Sequence, residues 1–453
     1  HSYHTKVPHK AIMRYILHYT QPGDIVFDGF CGTGMTGVAA QMCGDREVVM
    51  SLGYQVKPDG TILQEEVDEN GKKVWRPFSK LGVRRAVLND LSPAATFIAY
   101  NYNTPVDVAA FEREAKRILK EVEKECGWMY ETLHTDGKTK GKINYTVWSD
   151  VFVCPECAGE VVFWDVAVDK AEKSVRDEFV CPHCSSVLTK RRLDRAWESK
   201  YDEAIKDTIR QAKQVPVLIN YIVNGKRAEK PVDSSDLALI ARIENNKIPY
   251  WFPAQRMMEG GETRRNDPIG ITHVHHFYTK RNLWALSSLL AKCDLRFRLM
   301  FQSIVATLCS RLVRYNMGNR GNGTLSGTLY VSSLNAEAEI TKLAAGKVRD
   351  FTKAFVSKDS GVVLCQSFEN TPIKSASIDY LFIDPPFGAN LNYSELNFLW
   401  EAWLNVITNN VPEAIENKAH GKGSNEYRHL MTRCFSEAYR LLKPGRWMTV
   451  EFS

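Results

Sequence analysis

Apolar positions along this chain follow helix and strand periods in turn at both ends. That order weakens in the middle. From Pro8 to Tyr19, apolar side chains recur at Ile12, Tyr15, Ile16 and Tyr19, the period of a helix with proline at its first position. Gln21-Pro22-Gly23 ends it. Asp24-Ile25-Val26-Phe27-Asp28 reads as a buried strand running into a glycine-rich turn, and Met35 to Met42 opens a second helix. Ala86 to Asp90 is a second strand, followed by Ser92 as a helix cap and Pro93 at the first helical position. Far downstream, Gly361–Gln366 predicts a third strand and Tyr380–Ile383 a fourth. Tyr427–Leu442 is an amphipathic helix closed by Lys443-Pro444-Gly445, and Trp447–Phe452 a fifth strand. Strands separated by helices predict an α/β fold with a parallel sheet.

The stretches between these elements read as insertions. Residues 45–80 hold two turn signals, Pro58-Asp59-Gly60 and Asn70-Gly71, and predict a β-hairpin insertion. Residues 103–147 are expected to be a helical connector, with Phe111–Cys126 a charged amphipathic helix. Residues 191–360 are expected to be mostly helical and to carry target recognition. Within them, Lys190–Lys213 mixes basic and acidic residues and reads as a solvated helix face. Arg281–Ala291 and Phe297–Tyr315 read as helices, and Asn316–Gly327 as a Gly/Asn-rich loop. The sheet domain is therefore discontinuous, 1–102 with 361–453.

At 453 residues, with 44% hydrophobic and 25% charged positions, the chain has the composition of a globular protein of two or three domains. No run of 18 apolar residues appears, so no membrane span or membrane partner is expected. The formal net charge of +6 permits a nucleic-acid partner without demanding one. Four of the eleven cysteines form two C-x-x-C pairs, Cys154/Cys157 and Cys181/Cys184; the others are scattered. Each pair turns two sulfurs toward one point, and strand-like segments lie between them, which predicts a zinc ribbon over 148–190. The pattern suits a reducing cytoplasm rather than a disulfide framework. His273, His275 and His276 lie beside no second cluster and are not expected to hold a metal.

Two motifs carry the chemistry. Asp384-Pro385-Pro386-Phe387 follows the fourth strand. The prolines fix φ; the carboxylate and the Pro385 carbonyl accept hydrogen bonds from an amino group; and the Phe387 ring stacks on a base. Alone, the tetrad is equally an ordinary strand-to-turn exit. The second motif, Asp28-x-Phe30-x-Gly32-x-Gly34-x-x-Gly37, contains dinucleotide-fingerprint spacing. A nicotinamide cofactor requires an acid about 20 residues on, whereas the next strand ending in an acid is the one at Asp90.

The two motifs together resemble S-adenosylmethionine-dependent amino-methyltransferases. With the two cysteine pairs, Tyr3-His4-Thr5-Lys6-x-Pro8 and Asn392-Tyr393-Ser394-Glu395-Leu396, the chain more narrowly resembles adenine-specific DNA methylases containing a zinc ribbon. The resemblance implies a Rossmann-like class I methyltransferase sheet, a prokaryotic cytoplasmic enzyme, and methylation of adenine N6 in DNA with the base flipped out, in a restriction or phage-defence setting. It places Asp28, Phe30, Gly32 and Gly34 around the methionine part of S-adenosylmethionine, and Asp90 on the ribose hydroxyls. It brings Thr5 and Lys6 near the cofactor and makes Zn²⁺ structural. The residue beside the cofactor's adenine, often acidic in the family, falls here at Gln366 or Ser367. The family fold continues past its fifth strand, so the chain reads as a fragment of it. An RNA or tRNA amino-methyltransferase, a cytosine-N4 methylase and a binding protein on a dead methylase fold are the rival readings.

Overall fold

A computed structural model describes residues 3, 6–317, 321–355 and 361–451. The chain divides into two compact units, one split (1–109 with 352–453) and one inserted (110–351).

The split unit is built on five parallel strands. The helix α1 (His9–Tyr19) leads into β1 (Ile25–Asp28), α2 (Met35–Met42), β2 (Arg85–Asp90) and α3 (Pro93–Tyr102). The second half supplies β3 (Val362–Cys365), β4 (Ile378–Ile383), α4 (Tyr393–Leu404), α5 (Ser424–Leu441) and β5 (Leu442–Val450). The spatial order is β3-β2-β1-β4-β5, with every pairing parallel. All six residues of β4 are buried, as a strand covered on both faces requires. The order reverses between β1 and β4. In open parallel sheets such a switch point leaves a crevice at the strands' carboxyl ends.

Two glycines after β1, Gly34 in the loop and Gly37 inside α2, approach Asn103 closely. Gly34 caps α2 with φ +77°, and its carbonyl accepts from Asn103 Nδ2 at 3.0 Å. At Gly37, a Cβ would lie 2.2 Å from Asn103 Oδ1 and 2.9 Å from Leu88. The fingerprint spacing at Gly32, Gly34 and Gly37 thus reflects one tight turn and one close helix approach.

Residues 45–80 form a short helix, Arg46–Met50, and a three-stranded antiparallel sheet rather than a single hairpin. Both expected turns are present, with Gly60 and Gly71 at positive φ. The fully buried Arg84 anchors this insertion. Its guanidinium donates to the carbonyls of Lys80, Gly82 and Thr20 and to the Thr20 hydroxyl.

The inserted unit is organised by one long strand, Lys140–Val153, which pairs with strands Glu131–Leu133, Glu160–Val162, Asp194–Arg195, Gln214–Val223 and Leu334–Ala338. Two expectations need correction here. The connector 103–147 is helical only through Tyr130 and is strand from Glu131. The region 191–360 is not mostly helical, because 194–231 is dominated by β-structure. Lys190–Lys213 is no helix face: Trp197–Asp202 pairs antiparallel with Asp207–Ala212. Its charges alternate with Trp197, Tyr201 and Ile209 at the two-residue period of a strand, and that period prevails over its solvated look. Phe297–Tyr315 is helical only at Arg298–Gln302. Beyond it, the Ser303 and Ser310 hydroxyls bond to nearby backbone carbonyls, local bonding that competes with regular helix.

Gly37→Ala would displace Asn103 from Gly34 and is expected to cost about 1–3 kcal/mol. A lowered melting temperature checks this, and an unchanged one refutes the packing role.

Candidate active site

The crevice at the carboxyl ends of β1, β2 and β4 encloses about 990 Å³ of empty space, part of it open to solvent. Of the residues singled out from sequence, Lys6, Asp28, Phe30, Gly32, Asp90, Ser367, Asp384 and Pro386 line it. Gly34, Gln366, Pro385 and Phe387 are adjacent in the chain to lining residues but are not part of the wall. Thr5 lies outside the described residues.

Asp28 ends β1 and is buried. Its Oδ2 accepts from the Thr36 hydroxyl at 2.5 Å and its Oδ1 from the Phe30 backbone at 3.1 Å, which curls the glycine loop around the carboxyl. Burial pushes its pKa up to about 7. The Thr36 and Phe30 bonds oppose the shift, and the Asp90 and Asp384 carboxylates add to it. Asp90 ends β2 and accepts from Gly32 N–H at 2.8 Å and Ser92 N–H at 2.9 Å. Burial raises its pKa as well, against those two bonds. Beside these acids, Lys6 is the one lysine in the wall among the described residues, and burial lowers its pKa.

The tetrad leaves β4 on a stretch whose carbonyls are mostly spoken for. Pro386 O accepts from the Tyr427 hydroxyl at 2.9 Å, Phe387 O from Asn390 N–H at 2.9 Å, and Gly388 O from Glu416 N–H at 2.9 Å. Among the described residues, the Asp384 carboxylate and the Pro385 carbonyl accept no hydrogen bond. Burial raises the Asp384 pKa, with the Glu451 carboxylate adding to the shift. Asp384 lines the cleft, and Pro385 follows it in the chain.

Sequence reading quoted Glu395 within a motif but missed Glu401 and Glu413, which brace this wall. Glu401 on α4 is buried and accepts from Ser92 Oγ at 2.6 Å, from Thr408 Oγ1 at 2.7 Å and from Thr408 N–H at 2.8 Å. Burial pushes it up to about 7 against those bonds. Glu413 accepts from the Ser394 backbone and hydroxyl at 2.8 and 2.6 Å. Glu395 accepts from Asn417 at 2.7 Å. The available signal was the pair Glu395 and Glu401 inside the apolar run of α4, where an acid needs a partner. At the end of β3, Gln366 Nε2 is buried with no partner among the described residues, while the Ser367 side chain reaches the cleft.

In the inserted unit, the four knuckle cysteines converge. Cys154 Sγ is 3.8 Å from Cys184 Sγ, and Cys157 Sγ is 3.8 Å from Cys181 Sγ. Four sulfurs held tetrahedrally at about 2.3 Å from one Zn²⁺ lie about 3.8 Å apart, so the set suits that ion. The two knuckles share their backbone course. The residue after each second cysteine, Ala158 or Ser185, has positive φ and donates its N–H to the carbonyl of the first. A second group of ligand-type side chains joins Asp202 to His275 and His276. Both imidazole Nε2 atoms lie on Asp202 Oδ2, at 2.7 and 2.8 Å, while His276 Nδ1 receives the Thr272 N–H at 3.3 Å. That tautomer puts the His276 proton on Nε2, where a metal would need the lone pair. The cluster is a hydrogen-bonded clamp on the 197–212 hairpin.

Residues 1–60 match the model of a family described as DNA methylase. No curated protein and no solved structure matches the chain. The matched stretch includes Lys6, Asp28, Phe30, Gly32 and Gly34, and it supports a DNA methyltransferase, which implies S-adenosylmethionine as cofactor and DNA as substrate.

Proposed function

We propose that the split unit is a Rossmann-like class I methyltransferase domain. It transfers a methyl group from S-adenosylmethionine to N6 of an adenine flipped out of duplex DNA. The observation that carries this reading is the pair of open acceptors, the Asp384 carboxylate and the Pro385 carbonyl, at the switch point of the sheet. Adenine N6 rather than cytosine N4 rests on aspartate, not serine or asparagine, at position 384.

The donor set fits a cationic nucleoside. Asp28, Asp90, Asp384 and Glu413 face the cleft against the single Lys6. Asp28, Phe30 and Gly32 would surround the methionine part. Each Asp90 oxygen keeps a lone pair for the ribose hydroxyls after bonding Gly32 or Ser92. Where the family often has an acid beside the adenine, Ser367 in the cleft wall would offer a hydroxyl, with Gln366 preceding it outside the wall. When bound, the cofactor supplies an electrophilic sulfonium methyl group. An aromatic amine is a weak nucleophile because its lone pair is delocalised into the ring. Asp384 and Pro385 O, accepting its two N–H groups, hold the nitrogen toward tetrahedral geometry and localise that pair. Phe387 stacks on the base. Much of the acceleration is positional. The Asp384 oxygen that holds an N–H is placed to take its proton once the nitrogen becomes positive. Cys154, Cys157, Cys181 and Cys184 hold a structural Zn²⁺ in this reading.

Asp384→Ala is expected to bind S-adenosylmethionine within about 3-fold of wild type by calorimetry, yet lose about 10³-fold or more in methyl transfer. Near-normal turnover refutes the role of Asp384. Mass spectrometry of hydrolysed DNA should show N6-methyladenine; N4-methylcytosine or methylated RNA alone would overturn the substrate assignment.

Asp28 gains its charge as pH rises through about 7, and an ionised carboxylate attracts the cationic cofactor. Cofactor affinity is therefore expected to rise from pH 6 to 8 and then level off. Asp28→Asn should flatten that profile; an equally steep profile in the variant assigns the titration elsewhere.

Elemental analysis is expected to give one zinc per chain, and less in Cys157→Ser. Full occupancy in that variant would refute the four-sulfur site.

A further inference from the structure

The segment after α4 presents apolar side chains to solvent at the mouth of the cleft. Val411 is 74% exposed, Val406 54% and Ile407 40%. Scattered exposed apolar residues are ordinary. Here three branched ones fall within six positions on backbone that is tied down. Thr408 is bonded to Glu401 through both its N–H and its hydroxyl. Lys422 Nζ donates to Asn410 O at 2.5 Å and to Glu413 O at 2.7 Å, bracketing Val411 on both sides. The next three residues, Pro412, Glu413 and Ala414, line the cleft together with Asp384 and Pro386. A stiff β-branched side chain is thus held out on a fixed loop whose next three residues line the same cleft as Asp384. Nearby in sequence, Lys418 and Arg428 are exposed and form no ion pair among the described residues; Arg428 makes one long hydrogen bond, to Asn425 Oδ1 at 3.4 Å.

We propose that Val411 is a wedge that enters the base stack of duplex DNA and fills the gap left by the target base, with Lys418 and Arg428 on the flanking phosphates. The proposal rests on the methyltransferase reading above. The occupant follows from three features: an apolar tip, unpaired cations in the following segment, and continuity with the cleft that would receive the flipped base. Proteins that unstack DNA insert apolar side chains of this kind between base steps. The energy of unstacking is smallest where the target is already unpaired. A wedge therefore matters most on a matched duplex and least on a mispaired or single strand.

The test compares wild type and Val411→Ser as full chains. Three substrates carry the modified site: a matched duplex, the same duplex with the target mispaired, and the single strand. The wedge predicts that kcat/KM falls about 10- to 100-fold on the matched duplex. It predicts a change within about 2-fold on the other two, and unchanged cofactor binding by calorimetry. With 2-aminopurine at the target position, fluorescence should rise on binding wild type and rise less with the variant. Equal losses on all three substrates would assign Val411 to packing and overturn the proposal, as would an undiminished rate on the matched duplex. A wild type that methylates RNA or single strands but no duplex overturns the wedge while leaving methyl transfer standing. A wild type that methylates no nucleic acid overturns both.

Discussion

A carboxylate taken out of water must be hydrogen-bonded or neutralised, and the cleft of the split unit is assembled around that requirement. Asp28 draws in Thr36 and the Phe30 backbone, curling the glycine loop. Asp90 ties that loop to β2 through Gly32 and starts α3 through Ser92. Glu401 binds Ser92 again and pins Thr408, while Glu413 fixes the first turn of α4 through Ser394. Asp90 and Glu401 join segments 58 and 309 positions apart, while Asp28 closes its own loop. Removing one partner leaves a buried charge uncompensated, so the damage spreads beyond a single bond.

The same acids set the electrostatics of the site. Crowded and poorly hydrated, Asp28, Asp90, Asp384, Glu401 and Glu413 all have pKa values above the ordinary carboxylate range. A cation entering the cleft relieves that crowding. One set of side chains therefore both braces the scaffold and gives the cleft its acidic lining, which Lys6 alone among the described lysines offsets. The inserted unit solves its problem of small local cores differently. Two knuckles with the same backbone course bring four thiols together, and one shared acceptor, Asp202, holds two imidazoles.

Much of the split unit was legible because its signals are local. Proline at the start of a helix, Ser92 as a cap, glycine at positive φ and short apolar runs ending in acids are read within a few residues. So are the C-x-x-C turns. What failed was non-local or of mixed period. The 197–212 hairpin hid behind its charges, and the broken helix after Gln302 behind its apolar content. The three-stranded form of 45–80 needed the pairing of Gln55–Val56 with the strand after it, too short a strand to detect. Of the cleft lining, Lys6, Asp28, Phe30, Gly32, Asp90, Ser367, Asp384 and Pro386 were visible in the sequence, whereas Glu413 in the lining and the brace Glu401 were not. Glu401, Glu413 and Tyr427 act through partners on other segments, and nothing in their own neighbourhoods announces those partners.

The parallel pairing of β1 with β4 has a consequence for synthesis. Ile25 N–H bonds Asp379, 354 positions later in the chain, and β1 has β4 as one of its two neighbours. At translation rates of ~5–20 residues per second, the nascent β1 waits about 20–70 s for that neighbour. During this interval β2 can pair with one flank of β1, and the flank that faces β4 in the finished sheet has no native neighbour. The inserted unit, whose strands pair among themselves, emerges whole in the meantime. The ribosome thus delivers the interruption as a finished body before the domain it interrupts can close, and the vulnerable species in the cell is a half-made sheet.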